Sequence, residues 1–190
     1  WTQREIPCGS TAWIWQGGCG REAQQHSAFR HPFTTMGLVE DRYPEEDFER
    51  IIYQSLHHQF VASALATKML REMVPGAQMG CMITKTLTYP ENCNPKNTLL
   101  ALKENRYNMW YSDVQSRGEY PTHILKEWER KGYNIVMERG DLEILKQYTV
   151  DFISFSYYNT RVSAVVEDGK EMVSGNLTSG IKNPFIGISE

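Results

Sequence analysis

The 190-residue chain has no run of lysine or arginine and no basic stripe interleaved with aromatic residues. Its 20 Lys and Arg against 23 Asp and Glu leave a net charge of −3 and a pI near 6.0. The long-range positive field that gathers nucleic acid or anionic lipid is therefore missing. No stretch approaches the roughly 18 apolar residues of a membrane span, and no basic region followed by an apolar one opens the chain. These absences predict a cytoplasmic protein with neither nucleic acid nor membrane as partner. Cysteine is scarce: Cys8, Cys19, Cys81 and Cys93 match neither a paired Cys-x-x-Cys nor a zinc ligand set, which predicts reduced thiols. No His-Glu-x-x-His motif occurs, and the adjacent His57 and His58 point about 100° apart on a helix, so they cannot share an ion. His31 and His123 have no ligand partners at usable spacing, and no metal is expected. Neither an internal repeat nor a low-complexity segment is present.

What is present fits one globular unit able to bury a core, with 41% hydrophobic and 23% charged residues. Pro44, followed by Glu45, Glu46 and Asp47, predicts a helix start, and Lys68 and Arg71 before Pro75-Gly76 predict its end. Phe48, Ile52, Leu56 and Phe60 recur every four residues along it and define one buried stripe. Gln78 to Thr84 reads as a strand buried on both faces. Asn94-Pro95 reads as a cap and first helical residue, opening a helix that carries Leu99, Leu100, Tyr107, Trp110 and Val114. Its Tyr107 to Tyr111 run is expected to face the sheet. A second helix runs from Pro121 to Lys131-Gly132, Asp141 caps a third ending near Tyr148, and Val150 to Ser156 is the next apolar strand. Arg161 to Val166 and Glu171 to Val173, around Asp168-Gly169, predict a hairpin in a terminal loop excursion. Strand, helical crossover and strand form a βαβ unit.

Three blocks carry more. They are Tyr53-Gln-Ser-Leu-His-His-Gln-Phe-Val-Ala-Ser-Ala-Leu-Ala66, Gly80-Cys-Met-Ile-Thr84 and Asp151-Phe-Ile-Ser-Phe-Ser-Tyr-Tyr158. With Tyr89-Pro90, Asp113 and Arg117-Gly-Glu-Tyr-Pro121 between them, they resemble in order and spacing the middle of family-1 glycoside hydrolases, most closely the 6-phospho-β-glucosidase branch. The resemblance runs from about residue 26 to residue 190. It implies an α/β fold: part of a (β/α)8 TIM barrel comprising the helix after strand four, strand five, its crossover helices, strand six and the loop beyond. Two such strands alone would leave two bare edges.

Residues 1–25 do not share the resemblance. Where the family carries Asn-Glu, with its general acid/base, the register gives Ala23-Gln24, and a carboxamide cannot cycle a proton. Trp1 to Arg21 shows neither helical nor strand period, which fits a segment from another reading frame or a cloning junction. A tryptophan platform for sugar is the alternative. At the other end, relatives continue past Ser189-Glu190 into the nucleophile motif Glu-Asn-Gly and the phosphate-gripping residues. A retaining glycosidase needs two carboxyl groups about 5 Å apart, and both catalytic glutamates are expected to be absent here. Glu127 and Glu129, on a helix, are plainer as solvated groups than as replacements.

The resemblance further implies that Tyr158 hydrogen-bonds the nucleophilic carboxylate, that Ser156 lies near the glycone, and that Thr84 faces the leaving-group side. The plainer reading of Tyr158 is a rim or core tyrosine. Taken together, a fragment of a cofactor-free hydrolase of phosphorylated β-glucosides is expected, inactive alone. A β-glucosidase or β-galactosidase of the same family, and a non-catalytic sugar-binding or complementing subunit, are the alternatives.

Overall fold

The computed structural model describes residues 11–15, 48–165, 169, 172–174 and 179–185. Pro44 to Asp47, Ala23-Gln24, Cys8, Cys19 and His31 lie outside them, as do Asn176 to Thr178 and Glu190. In chain order the elements are β1 (Thr11–Trp15), α1 (Phe48–Met73), β2 (Gln78–Pro90), α2 (Pro95–Arg117), α3 (Thr122–Lys131), α4 (Asp141–Gln147), β3 (Phe152–Ser163), β4 (Met172–Ser174) and β5 (Ser179–Ile181). They build one sheet in the order β1-β2-β3-β5-β4, its first three strands parallel and the last two antiparallel additions. The three helices α2, α3 and α4 link the parallel neighbours β2 and β3, as a crossover must.

Local chemistry explains most boundaries. Asn94 caps α2 by accepting from the Lys96 N–H at 3.0 Å, and Pro95 fills the first turn. Gly118 and Gly132 close α2 and α3 in the left-handed conformation, at φ 69° and 67°. Asp141 is not the cap expected of it. Gly140 holds that position, and the Asp141 carboxylate instead accepts from the Glu138 N–H at 2.7 Å and from His57.

The main core lies among the helices. Ile52, Tyr53, Leu56, Phe60 and Ala64 of α1 meet Trp110, Tyr111 and Val114 of α2, Ile124 and Trp128 of α3, Tyr120 and Leu145. The rings interlock: Trp128 stands edge-on to Tyr53 at 5.5 Å, Phe60 edge-on to Trp110 at 5.7 Å, and Trp110 stacks on Tyr111 at 4.5 Å. The Tyr107 to Tyr111 run, expected to face the sheet, thus spends its largest rings on α1 and α3. Sequence periodicity reports that a face is buried without saying against what.

Both long strands outrun their expected limits of Thr84 and Ser156, reaching Pro90 and Ser163. Thr86, Thr88, Thr160 and Val162 continue them, β-branched and buried. The expected hairpin falls partly outside the described residues, and among those described it is not seen: β4 pairs with β5, and β5 with β3 through Val162 and Ile181, which share a small core with Ala164. An apolar partner at the β3 edge, supplied by Ile181, takes the place that proximity in sequence had suggested for Glu171 to Val173. Trp1 to Arg21 also departs from expectation, because β1 lies within it and pairs in parallel with β2 from Thr11↔Gln78 to Trp15↔Met82. A buried parallel strand such as β2 has two ladder edges to fill, and β1 fills the second.

A charged knot fixes the start of the sheet. Arg71 at the end of α1 donates to Asp151 at 2.8 Å and to the Thr149 carbonyl at 2.9 Å, while Asp151 accepts from the Met79 N–H at 2.8 Å.

Gly118 and Gly132 offer a matched test. A Cβ on Gly118 would lie 2.5 Å from the Leu145 carbonyl oxygen, whereas one on Gly132 meets nothing. Gly132→Ala is expected to cost about 1 kcal/mol from the left-handed backbone alone, and Gly118→Ala about 3 kcal/mol once α4 must be pushed away. Urea midpoints of the two variants check the order.

Candidate functional site

Side chains alternate along a strand, and parallel register partners share a face. On one face of β2, Met79, Cys81 and Ile83 are buried. Their partners on β3 include Ile153 and Phe155, exposed together with Tyr157. The other face carries Gly80 and Met82 on β2, with Phe152, Ser154 and Ser156 on β3. At its base the Phe152 ring occupies the notch left by Gly80, where a Cβ would lie 2.2 Å from the ring.

The register sets two of the expected residues side by side. Thr84 is the register partner of Ser156, and Tyr158 follows two residues later. Ser156 is half-buried, its hydroxyl 3.5 Å from the Met82 sulfur. For Thr84 and Tyr158 the backbone alone is described. Neither stands at the end of a strand, where they were expected, because the ladder continues beyond both.

A break in the ladder marks the spot instead. Pairing runs regularly to Lys85↔Tyr157 and resumes at Leu87↔Thr160. One residue of β2, Thr86, thus faces two of β3, Tyr158 and Asn159, which is a β-bulge. The burial pattern of β2 changes phase at the same level. Below it the buried positions of β2 are Met79, Cys81 and Ile83; above it they are Thr86 and Thr88. Sequence reading missed the bulge, for which the signal was slight: Thr86, Thr88, Thr160 and Val162 keep a strand-like alternation that continues beyond the Phe-Ser-Tyr-Tyr block, out of step with it.

Titratable groups with displaced pKa values do not mark this face. Burial raises the Tyr53 and Tyr120 hydroxyls, pushes Tyr107 up to about 12 and pushes the Cys81 thiol up to about 11, all on the helix side. Cys81 and Cys93 are free thiols. His57, fully buried, joins Asp141 at 2.9 Å through Nε2 and Tyr120 at 2.7 Å through Nδ1. A carboxylate can only accept, so Nε2 carries the proton, and in the neutral ring Nδ1 accepts from the Tyr120 hydroxyl. His58 turns to Gln54 at 3.0 Å, away from this pair. Glu127 is held by Lys131 at 3.1 Å, in a surface cluster with Glu49. Among the described residues, no group of three or more His, Cys, Asp or Glu could hold a metal ion, and no helix is long and apolar enough to cross a membrane.

Comparison with known proteins gives a consistent likeness. The family model for glycosyl hydrolase family 1 matches residues 25–183. The aryl-phospho-beta-D-glucosidase BglA of Bacillus subtilis is 43% identical over 161 residues, 83% of this chain and 33% of that protein. The 6-phospho-beta-glucosidase AscB of Escherichia coli is 40% identical over 159 residues, 84% of this chain and 33% of that protein. The chain thus spans about a third of the length of these curated relatives. Among solved structures, a family 1 β-glucosidase from Thermotoga maritima superposes with a TM-score of 0.54 at 17% identity, over 73% of this chain and 29% of that one. The GH1 beta-glucosidase of Exiguobacterium antarcticum gives 0.52 at 15%, over 70% and 29%. At these identities the likeness is one of fold, a partial (β/α)8 barrel.

The Asp141 carboxyl supplies a pH test of the helical core. Burial pushes it up, but the hydrogen bonds from His57 and the Glu138 N–H outweigh burial and hold it below its ordinary value of 3.8. A carboxyl depressed in the folded state adds stability that is complete above the unfolded value and is lost as pH falls through the folded one. The stability difference between the chain and its Asp141→Asn variant is therefore expected to narrow as pH is taken below 3.8, read from urea midpoints between pH 6 and 3.

Proposed function

The chain belongs to glycosyl hydrolase family 1, and on that premise we propose that it is the interior part of a retaining β-glycosidase acting on 6-phospho-β-glucosides in the cytoplasm. The observation that carries the reading is the register pairing of Thr84 with Ser156 on the second face of the sheet, just below the bulge at Tyr158. In a barrel that face lines the interior, and chemistry gathers toward the carboxyl ends of the strands. Relatives named for phosphorylated β-glucosides, at about 40% identity, support the substrate class.

In this reading each residue has one task. The Tyr158 hydroxyl donates to the nucleophilic carboxylate, which orients it and favours its ionised form. Ser156 lies beside the phosphorylated glycone, and Thr84 lines the leaving-group side. The two glutamates that break the bond with retention come from outside this chain, one attacking the anomeric carbon and the other serving as acid and then base. Residues 1–24 precede the portion that the family model matches.

The chain alone is expected to give no hydrolysis of p-nitrophenyl 6-phospho-β-glucoside. A barrel in which residues 25–183 replace the corresponding segment of BglA is expected to hydrolyse it with retention. The same segment in the Thermotoga maritima β-glucosidase is expected to work about tenfold or more less well on the unphosphorylated glucoside. Activity in that second host alone would move the assignment to plain β-glucosides, and activity in neither would refute the catalytic reading. Tyr158→Phe in the active barrel should lower kcat about a hundredfold and move the acid limb of the rate profile to higher pH, because the nucleophile loses the donor that favours its ionised form.

A further inference from the structure

Besides β3, two parts of the chain take up backbone groups of β2. At its start β1 lies alongside in unbroken parallel register, from Thr11↔Gln78 to Trp15↔Met82. Further on, the Asn105 side chain of α2 acts as a strand would at Thr88: its oxygen accepts from the Thr88 N–H at 3.1 Å, and its Nδ2 donates to the Thr88 carbonyl at 2.7 Å. Unpaired N–H and C=O groups along a strand invite another strand, so β2 is a strand whose backbone has to be occupied.

The occupant at the start of β2 lies outside the family portion, because the family model matches residues 25–183. Yet it takes a barrel position. In a (β/α)8 barrel each strand is followed by a helix and has a parallel neighbour on either side, and β1, α1 and β2 keep that order. Register sets Ala12 and Ile14 level with Met79 and Cys81, which are 4% and 0% exposed, so the sequence of β1 suits the buried side. Its ladder is the shorter one. β1 is a five-residue strand at the edge of the sheet, whereas β2 and β3 pair from Gly80↔Phe152 to Pro90↔Ser163.

We propose that the β2 edge at Gln78 to Met82 is a docking surface for a parallel β-strand from a complementary portion of a barrel, and that β1 is a displaceable stand-in occupying it in cis. Main-chain hydrogen bonds supply the affinity, and small or apolar residues level with Met79 and Cys81 supply the selectivity. The inference rests on the barrel fold and not on the activity proposed above.

A labelled peptide with the sequence of Gly9 to Gly17 serves as the incoming strand, added to the full 190-residue chain. Its doubly substituted form, Ala12→Pro with Ile14→Pro, cannot complete a ladder and is the control. In the chain itself, Trp13→Pro is expected to break the β1 ladder and to speed exchange of the residue 78–82 amides about tenfold or more, with those of Trp110 to Val114 unchanged. The peptide is expected to bind this variant about tenfold or more tighter than the parent chain, whose edge is already taken, and to restore slow exchange at residues 78–82. Ile14→Ser, a milder change, should give the same pattern with a smaller rise. The control peptide should neither bind nor protect. No rise at residues 78–82 in either variant, equal peptide affinity for parent and variants, or binding without protection there would each overturn the proposal. None of these readouts uses hydrolysis, so an inactive BglA-hosted barrel would count against the proposed function alone.

Discussion

Strict alternation of side chains cannot keep one face of a strand against a helix once an extra residue enters that strand. The two-against-one step of Tyr158 and Asn159 opposite Thr86 changes the phase of β3 relative to β2 beyond it. Below the step Met79, Cys81 and Ile83 are buried; above it Thr88, Arg161 and Ser163 meet Asn105 and Glu104 of α2. The pocket face is left at the point where backbone geometry departs from a plain ladder, which is where a barrel can aim a side chain across its mouth.

That arrangement needs a stiff base, and the helices provide it. The interlocked rings of Tyr53, Phe60, Trp110, Tyr120 and Trp128 tie α1, α2 and α3 into one block. The Arg71–Asp151 knot fastens that block to the starts of β2 and β3. Burial, more than any neighbouring charge, displaces the hydroxyl and thiol pKa values inside the block. Displaced titration here reports a packed interior, so the usual inference from a shifted group to a reactive one would lead away from the pocket face.

Elements announced by local chemistry were legible in the sequence. The Asn94-Pro95 start and the Gly118 and Gly132 stops of the helices depend on residue types whose backbone preferences act over two or three positions. The every-fourth-residue stripe of α1 was equally plain, and Ile52, Leu56 and Phe60 are buried as it implied. What escaped was set by distant partners. Asp141 had two roles open to it, and His57, 84 residues away, decided between them. The pairing of β5 with β3 depends on an apolar contact between Val162 and Ile181 that nothing local announces. Strand β1 went unseen because its worth lies in completing β2. For the site, the motif suggested Thr84, Ser156 and Tyr158, and the register makes the first two neighbours. The bulge was hidden because a one-residue offset leaves both halves of a strand reading as ordinary strand.

Ile153, Phe155 and Tyr157 stand in the positions that β2 fills with buried residues, yet they face solvent, Phe155 at 63%. One flank of the sheet is thereby roofed and the other bare, which gives the chain a direction of unravelling. Strands β5 and β4, followed by the outer half of β3, should peel away while the ringed helical block still holds. The survivor of a brief protease treatment would then end within the β3 strand, and a survivor ending within α2 would contradict that order. Cover over this one flank would raise the opening energy of the whole sheet, because β3 is the only route by which its last two strands reach the rest of the fold.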